Sequence, residues 1–252
     1  MKVAERYEWI MQYLKAHQEV QSKEIAKELN VSFETIRRDL EKLEMQGKLK
    51  RIHGGAVYIE PKTEIEKTFI ERENLFADHK KQLAKKAMQF VSEGMSIALD
   101  VSTTNTAVAR QLVKRFTRLT IVTNSLPIID IVAKVPTFTI IVPGGMLYNQ
   151  ERCIVGDVAV EHIGKYNIDL FFMSLSGIDL DKGLSDYGVE EMKVKQAFMN
   201  QAKDVVIVAD HSKFDTVSLI NFELTQEEKL VVTDNELDDR TKEKYRTHYK
   251  II

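Results

Sequence analysis

Residues 22–56 read SKEIAKELNVSFETIRRDLEKLEMQGKLKRIHGGA: two short helical repeats followed by a glycine pair. Ile25, Ala26 and Leu29 fall on one face of a short helix, and Ser22 is placed to cap its start. Asn30 breaks the pattern, since Asn tolerates turn and left-handed backbone at little cost. Ser32 is placed to cap the next helix, in which Ile36, Leu40 and Leu43 recur at i, i+4 and i+7. With those three facing inward, Phe33, Glu34, Arg37, Arg38 and Lys42 face out, the arrangement that major-groove reading by a second helix requires. An Arg fork can bond guanine O6 and N7 together, worth about 1–3 kcal/mol against a wrong base. Arg37 and Arg38 are about 100° apart round a helix, so one is expected to read a base and the other to grip phosphate.

The flanks complete a small module. Upstream, Tyr7, Ile10, Met11 and Leu14 make one apolar stripe of a first helix over residues 4–17. Downstream, residues 49–60 read LKRIHGGAVYIE, in which Gly54-Gly55 accepts the positive φ of a hairpin turn. This is the pattern of a wing, with Lys48, Lys50, Arg51 and His53 available to phosphate or the minor groove. The charge distribution agrees. The whole chain of 252 residues carries −2, yet residues 1–58 hold eleven Lys and Arg against nine acids, and the remainder holds 25 against 29. The basic end is the one expected on DNA.

Composition closes off other classes. A single cysteine, Cys153, excludes an intramolecular disulfide and a cysteine-based metal site. Its six histidines show no His-x-His or His-Glu-x-x-His spacing, so no metal is expected. The first residues, MKVAERYEWIMQYL, interleave charges with apolar groups, unlike a signal peptide, and no run reaches the ~18 apolar residues of a membrane span. A cytoplasmic protein is expected.

The string Val31-Ser32-x-x-Thr35-Ile36-Arg37-Arg38-Asp39-Leu40, followed by Leu-Glu and a Gly-Gly wing, resembles the amino-terminal signature of the DeoR family of bacterial transcription regulators. The resemblance implies double-stranded operator DNA as partner, with Ser22, Ser32, Phe33, Glu34, Thr35, Arg37, Arg38, Lys42, Lys50, Arg51 and His53 as the contact set. Phe33 is the departure in the reading helix, a bulky apolar residue that implies its own operator preference.

After Pro61, residues 59–74 read as a linker leading into a helix, and residues 75–234 as a larger α/β domain. There, SIALDV, LTIVTN, TFTIIV, DLFFMSLSGI and DVVIVAD alternate with helical stretches such as NTAVARQLVKRF and VEEMKVKQAFMNQA. This is the pattern of a mostly parallel sheet covered on both faces, which gathers ligands at the carboxyl ends of its strands. Those ends are polar or glycine-rich: Asp100 with Ser102, Thr103, Thr104 and Asn105; Thr123-Asn124; Gly144-Gly145; Gly177 and Asp179; Asp210 and Lys213. Hydroxyls and backbone N–H groups at the helix start over 102–105 suit an anion. Residues 235–252 form a C-terminal segment that packs back on the domain or on a partner subunit.

These segments also resemble the effector domain of the same family, which is similar in fold to ribose-5-phosphate isomerase and glucosamine-6-phosphate deaminase. The resemblance implies a phosphorylated sugar or related metabolite as effector, no cofactor, and a repressor of sugar-metabolism genes acting as a homodimer or homotetramer. It carries the strand-end residues above, with Glu191 and Lys195 on a pocket-facing helix, into the effector site. The family commonly has Gly where this chain has Ser102, which implies a tighter loop and a different preferred ligand. The alternative is a sugar-phosphate isomerase fused to a DNA-binding module. Against it, the isomerase turn Gly-Ala-Asp-Glu corresponds here to Gly177-Ile178-Asp179-Leu180, which lacks the Glu.

Overall fold

A computed structural model describes residues 3–45, 48–58, 69–224 and 229–252. The chain divides into two compact units, residues 1–76 and 77–252.

In the first unit, α1 (Val3–His17), β1 (Glu19–Gln21), α2 (Ser22–Glu28) and α3 (Phe33–Met45) precede a hairpin of β2 (Leu49–Ile52) and β3 (Gly55–Tyr58). The expected stripes meet in one core: Ile10, Leu14, Ile25, Ile36, Leu40, Leu43 and Leu49 are all buried. Burying each such side chain contributes about 1.5–3 kcal/mol. Asn30 takes φ 50°, the left-handed turn its type allows.

Strand β1 pairs antiparallel with β3 and makes the wing three-stranded. It changes two expectations. Gln21 is still extended when α2 begins, so it occupies the cap position without a side-chain bond. Ser22 is therefore the first helical residue and not the cap; it is buried, and its N–H donates to Gly54 O at 2.8 Å. Of the glycine pair only Gly54 has positive φ, 83°. Gly55 is needed for a different reason: a Cβ there would stand 2.0 Å from Val20 O.

Among the described residues a buried ion pair crosses this core. The Arg6 guanidinium of α1 makes a two-pronged bond with the Asp39 carboxylate of α3, and both side chains are buried. It ties the first helix to the third.

Of the linker expected over 59–74, residues 59–68 lie outside the described residues, and Phe69–Asn74 form helix α4. The second unit begins with α5 (Ala77–Ala87), β4 (Ser96–Leu99), α6 (Thr103–Arg115), β5 (Thr120–Thr123), α7 (Leu126–Val132) and β6 (Thr139–Ile141). Then come β7 (Met146–Tyr148), β8 (Cys153–Val155), α8 (Asp157–Ile163), β9 (Ile168–Met173), β10 (Gly177–Asp179), β11 (Gly183–Asp186), α9 (Val189–Gln201) and β12 (Ala202–Val208). A 3-10 turn (His211–Lys213), β13 (Ile220–Phe222), β14 (Leu230–Val232), α10 (Asp239–Tyr245) and β15 (Lys250–Ile251) close the chain.

Among the described residues seven strands form one sheet in the order β15-β14-β12-β9-β4-β5-β6, every neighbouring pair parallel. Side chains alternate between its faces. Ala98, Phe171, Met173, Val205 and Ile207 pack with residues of α8, α9 and α10. Ile97, Leu99, Leu170, Phe172, Val206 and Val208 pack with those of α5, α6 and α7. The chain leaves β4 toward β5 and β6, then returns to place β9 on β4's other side, so the order reverses between β4 and β9. In open α/β sheets the ligand crevice lies outside the carboxyl ends at such a reversal.

One expected strand splits. The run DLFFMSLSGI is β9 and then β10, which leaves the large sheet to pair antiparallel with β11 and, through it, β13. Gly177 and Asp179 are thus strand residues of a small second sheet rather than an end of the main one. Gly177 is held to glycine because a Cβ would meet Thr216 O at 2.3 Å.

The buried Arg6–Asp39 pair generates a prediction. Asp39→Ala leaves a guanidinium without its carboxylate in the core and should destabilise the first unit by about 3–5 kcal/mol. The only tryptophan, Trp9, lies in α1, so the fluorescence of a urea titration reports this unit alone; an unshifted midpoint would contradict the pairing.

Candidate nucleic-acid interface and effector pocket

Helix α3 presents the outward face expected of it. Ser32 caps its start, its Oγ accepting from Thr35 N at 3.1 Å and lying 2.8 Å from Thr35 Oγ1. Phe33, Glu34, Arg37, Arg38 and Lys42 are exposed, Thr35 is half-buried, and on the wing Lys50 and His53 are exposed. Arg51 is half-buried, its N–H donating to Glu44 Oε1 of α3 at 2.8 Å. Ser22, buried beneath β3, does not share this face. The arginines are tethered. Arg37 forms a two-pronged bond with Glu34 at 2.9 Å on each arm, and Arg38 Nε donates to the same carboxylate at 3.2 Å. The Arg37 bond leads in pulling the Glu34 carboxyl down to about 2, and the pair holds Arg37 above its ordinary value.

In the second unit the carboxyl ends of β4 and β9 are joined by a buried ion network. Lys195, on α9 and 2 % exposed, donates to Asp100 Oδ2 at 2.5 Å and to Ser174 O, and stands 2.9 Å from Asp186 Oδ2. Asp100 also accepts from Ser174 N at 3.1 Å, Ser174 Oγ at 3.0 Å and Asn105 Nδ2 at 2.5 Å. Burial works against the ammonium, but the carboxylates of Asp100 and Asp186 outweigh it and hold Lys195 above its ordinary value. Burial raises Asp100, with Lys195 opposing.

Beside this network lies a cleft of about 30 Å³ lined by Asp100, Val101, Asn124, Glu151, Asp186, Tyr187, Gly188, Glu191 and Lys195. Burial, followed by the charges of Glu151 and Asp186, raises Glu191 against its own backbone hydrogen bond. Its carboxylate folds back on the start of α9, where a Cβ on Gly188 would meet it at 2.4 Å. Asn124 Nδ2 donates to Ile154 O at 2.9 Å, and its buried Oδ1 has no partner among the described residues. That orphaned acceptor suits a ligand hydroxyl.

Of the residues expected from sequence, Asp100, Asn124, Glu191 and Lys195 line the cleft. Ser102 caps α6, accepting from Asn105 N at 2.8 Å, with Thr103 and Thr104 in its first turn beside the cleft residue Val101. Asn105 and Thr123 are fully buried and serve the scaffold, Asn105 bonding Phe172 O at 2.8 Å and Thr123 Oγ1 bonding Leu99 O at 2.7 Å. Gly144 donates its N–H to His162, and Gly145 lies at φ 145° where a Cβ would meet Val155 O at 2.6 Å. Asp179 accepts from the N–H groups of Asp181 and Lys182, and Asp210 caps the 3-10 turn that carries Lys213. None of these reaches the cleft. Sequence reasoning missed Glu151, Asp186, Tyr187 and Gly188. The run Ser185-Asp186-Tyr187-Gly188, polar and glycine-ended just before a helix, was the available signal; Glu151, in the β7–β8 hairpin, carried none.

The histidines hold a surprise. His79 of α5 and His211 lie with ring centroids 5.0 Å apart and edge to face, beside the buried carboxylate of Asp234. The absence of motif spacing did not mean scatter in space.

Comparison with known proteins places this geometry. Residues 6–62 match the model of the DeoR-like helix-turn-helix domain, and residues 76–235 that of the DeoR C terminal sensor domain. The chain belongs to the DeoR family. It is 31% identical over 221 residues to the glycerol-3-phosphate regulon repressor of Escherichia coli (strain K12), covering 88% of this chain and 86% of that one. To the regulator IolR of Bacillus subtilis (strain 168) it is 31% identical over 238 residues, covering 93% and 92%. Among solved structures it is similar to ribose 5-phosphate isomerase A from Methanocaldococcus jannaschii, with TM-score 0.41, 17% identity and 55% of each chain covered. No helix among the described residues is long and apolar enough to cross a membrane.

Against the DeoR pattern, Ser102 in place of Gly costs no backbone strain. Its φ of −169° is ordinary extended backbone, and its hydroxyl supplies the α6 cap. The loop is better fixed than a glycine would leave it.

In this DeoR-family head, the Glu34 carboxylate already holds Arg37 and Arg38 and would be a competitor for them to any DNA phosphate. Glu34→Gln removes that competitor and one negative charge from the reading face. Affinity for non-specific duplex DNA should rise several-fold, and the log–log salt slope should steepen by about 0.9 for each phosphate newly gripped. Fluorescence anisotropy over a salt series measures both; unchanged values would mean that the tether does not persist near DNA.

Proposed function

We propose that this chain is a transcriptional repressor of sugar-metabolism genes, reading operator DNA through α3 and the wing. A phosphorylated sugar or related metabolite at the carboxyl edge of β4 and β5 controls it. The observation that carries the reading is the pairing of an exposed Arg37-Arg38 face with a cleft at the topological reversal, in a chain whose two parts match the two DeoR family models. A relative named for the glycerol-3-phosphate regulon supports a phosphorylated polyol as the class of signal.

Charge divides the ligand. Four carboxylates and one ammonium line the cleft, so it takes the hydroxyl-bearing body and repels a phosphate. The phosphate belongs at the first turn of α6, over Ser102, Thr103 and Thr104, where orphan N–H groups and the helix dipole favour an anion. Turnover is not part of this function: the Asp179 carboxylate is committed to its own turn, away from the cleft, and the Glu of an isomerase pair is absent. Two-fold operators pair with two-fold proteins, so a homodimer or homotetramer in the cytoplasm is the working form.

Arg37→Ala and Arg38→Ala should each weaken binding to the chain's own promoter region in gel-shift titrations, and at least one should relax base discrimination by about 1–3 kcal/mol. In parallel, a sugar phosphate at 100 times its Kd should stabilise the second unit by about 2.7 kcal/mol in a thermal-shift screen, and the same compound should alter the gel shift. Unchanged discrimination in both variants would overturn the reading helix; no stabilisation by any phosphorylated compound would overturn the effector class.

A further inference from the structure

Helix α5 packs across β12 and β14, and its first turn brings His79 to the carboxyl ends of those strands. There the chain leaves β12 through Asp210 into His211, and leaves β14 through Thr233 into Asp234. One imidazole nitrogen of His79, one of His211 and one carboxylate oxygen of Asp234 all lie within 4.8 Å of one another. Asp234 is 1 % exposed and rigidly held: its Oδ2 accepts from His211 N at 2.9 Å and its Oδ1 from Glu236 N at 2.8 Å. His211 Nδ1 stands 3.1 Å from both carboxylate oxygens.

From this geometry we propose that His79, His211 and Asp234 form a binding site for a divalent transition-metal ion of the zinc class. Two imidazoles and one carboxylate are the donor set such ions take, with a further position left for water. Around a tetrahedral zinc with bonds of about 2.0–2.2 Å, ligand atoms stand about 3.3 Å apart. The His211–Asp234 separation already meets that. His79 has to close by at most about 1.5 Å, from within 4.8 Å to the tetrahedral spacing, which rotation about its side-chain bonds supplies because it is half-buried on the first turn of a helix. Magnesium and calcium are disfavoured, since both demand oxygen ligands.

The site is separate from the effector cleft, sharing none of its lining residues. It joins α5, the first element of the second unit, to the two strands beyond β9. A bound ion would staple the start of that helix to the sheet edge.

The test uses untagged full-length protein stripped with chelator and titrated with zinc chloride in competition with a chromophoric indicator. One ion per chain is expected at micromolar concentration or below. His79→Ala should weaken it by at least the ~10–100-fold that follows loss of even an outer-shell partner, while His248→Ala, a histidine outside the cluster, should leave it unchanged. Cobalt chloride should give a ligand-field absorption that His79→Ala abolishes, and magnesium chloride should not compete. Thermal melts in chelator establish that His79→Ala is folded; if it is not, His79→Gln, which keeps bulk and a polar end, takes its place. No zinc bound at micromolar concentration, or binding that His79→Ala leaves intact, overturns the site.

Discussion

Lys195 is a cation placed where the solvation of its charge has to be rebuilt by the protein. Removing an ammonium from water costs several kcal/mol even after relaxation, and only close, well-directed acceptors offset that. Asp100 arrives from the end of β4, Ser174 O from the end of β9 and Asp186 from the end of β11. All three must be in place for α9 to seat its lysine, so α9 is fixed across the point where the sheet order reverses. The cleft exists as a by-product of this arrangement: its walls are the strand ends that Lys195 draws together, and its acidity is the excess of carboxylates over the one ammonium.

The first unit solves a related problem twice on one helix, with opposite outcomes. Arg6–Asp39 is dry and long-range in sequence, and holds α3 against α1. Glu34–Arg37 is wet and local, with both side chains about half exposed, so it contributes little to stability and can exchange for phosphate. The acidic residues of the string Glu34-Thr35-Ile36-Arg37-Arg38-Asp39 therefore have different work. Asp39 positions α3 against α1, while Glu34 holds the guanidinium groups of Arg37 and Arg38 on the exposed face.

How far the sequence was legible follows from the range of each interaction. Periods of 3.6 and 2 are local, so α1 to α3, the wing and strands β4, β5, β6, β9 and β12 could be read directly. Strand β1 could not, because three residues carry no period; it is a strand only because β3 lies beside it. The same holds for β14 and β15, which extend the sheet with three and two residues. In the site, Lys195 and Asp100 were reachable through family resemblance, while Glu151 comes from a hairpin with no strand-end signal. His79 and His211 are separated by most of the second unit and meet only because α5 lies over β12 and β14. Spacing rules find ligands on one element and are blind to ligands on three.

A cleft of about 30 Å³ has room for about two waters, not for a sugar phosphate. A ligand of that size is enclosed only by a conformation in which the walls have parted; on this one most of it would lie outside the cleft. Of the lining, the Asp100–Lys195 pair is the most costly to disturb, because separating it strands buried charge. Glu151 and the Tyr187-Gly188 turn are the parts that can yield, since Glu151 sits in a hairpin outside the main sheet and the turn lies between β11 and α9. Binding energy would be spent on displacing those segments, and the free protein's preference for the closed cleft would reduce apparent affinity by the fraction open. That same preference is what makes a ligand informative: only a compound that binds the open arrangement better than the closed one can shift the population of the two.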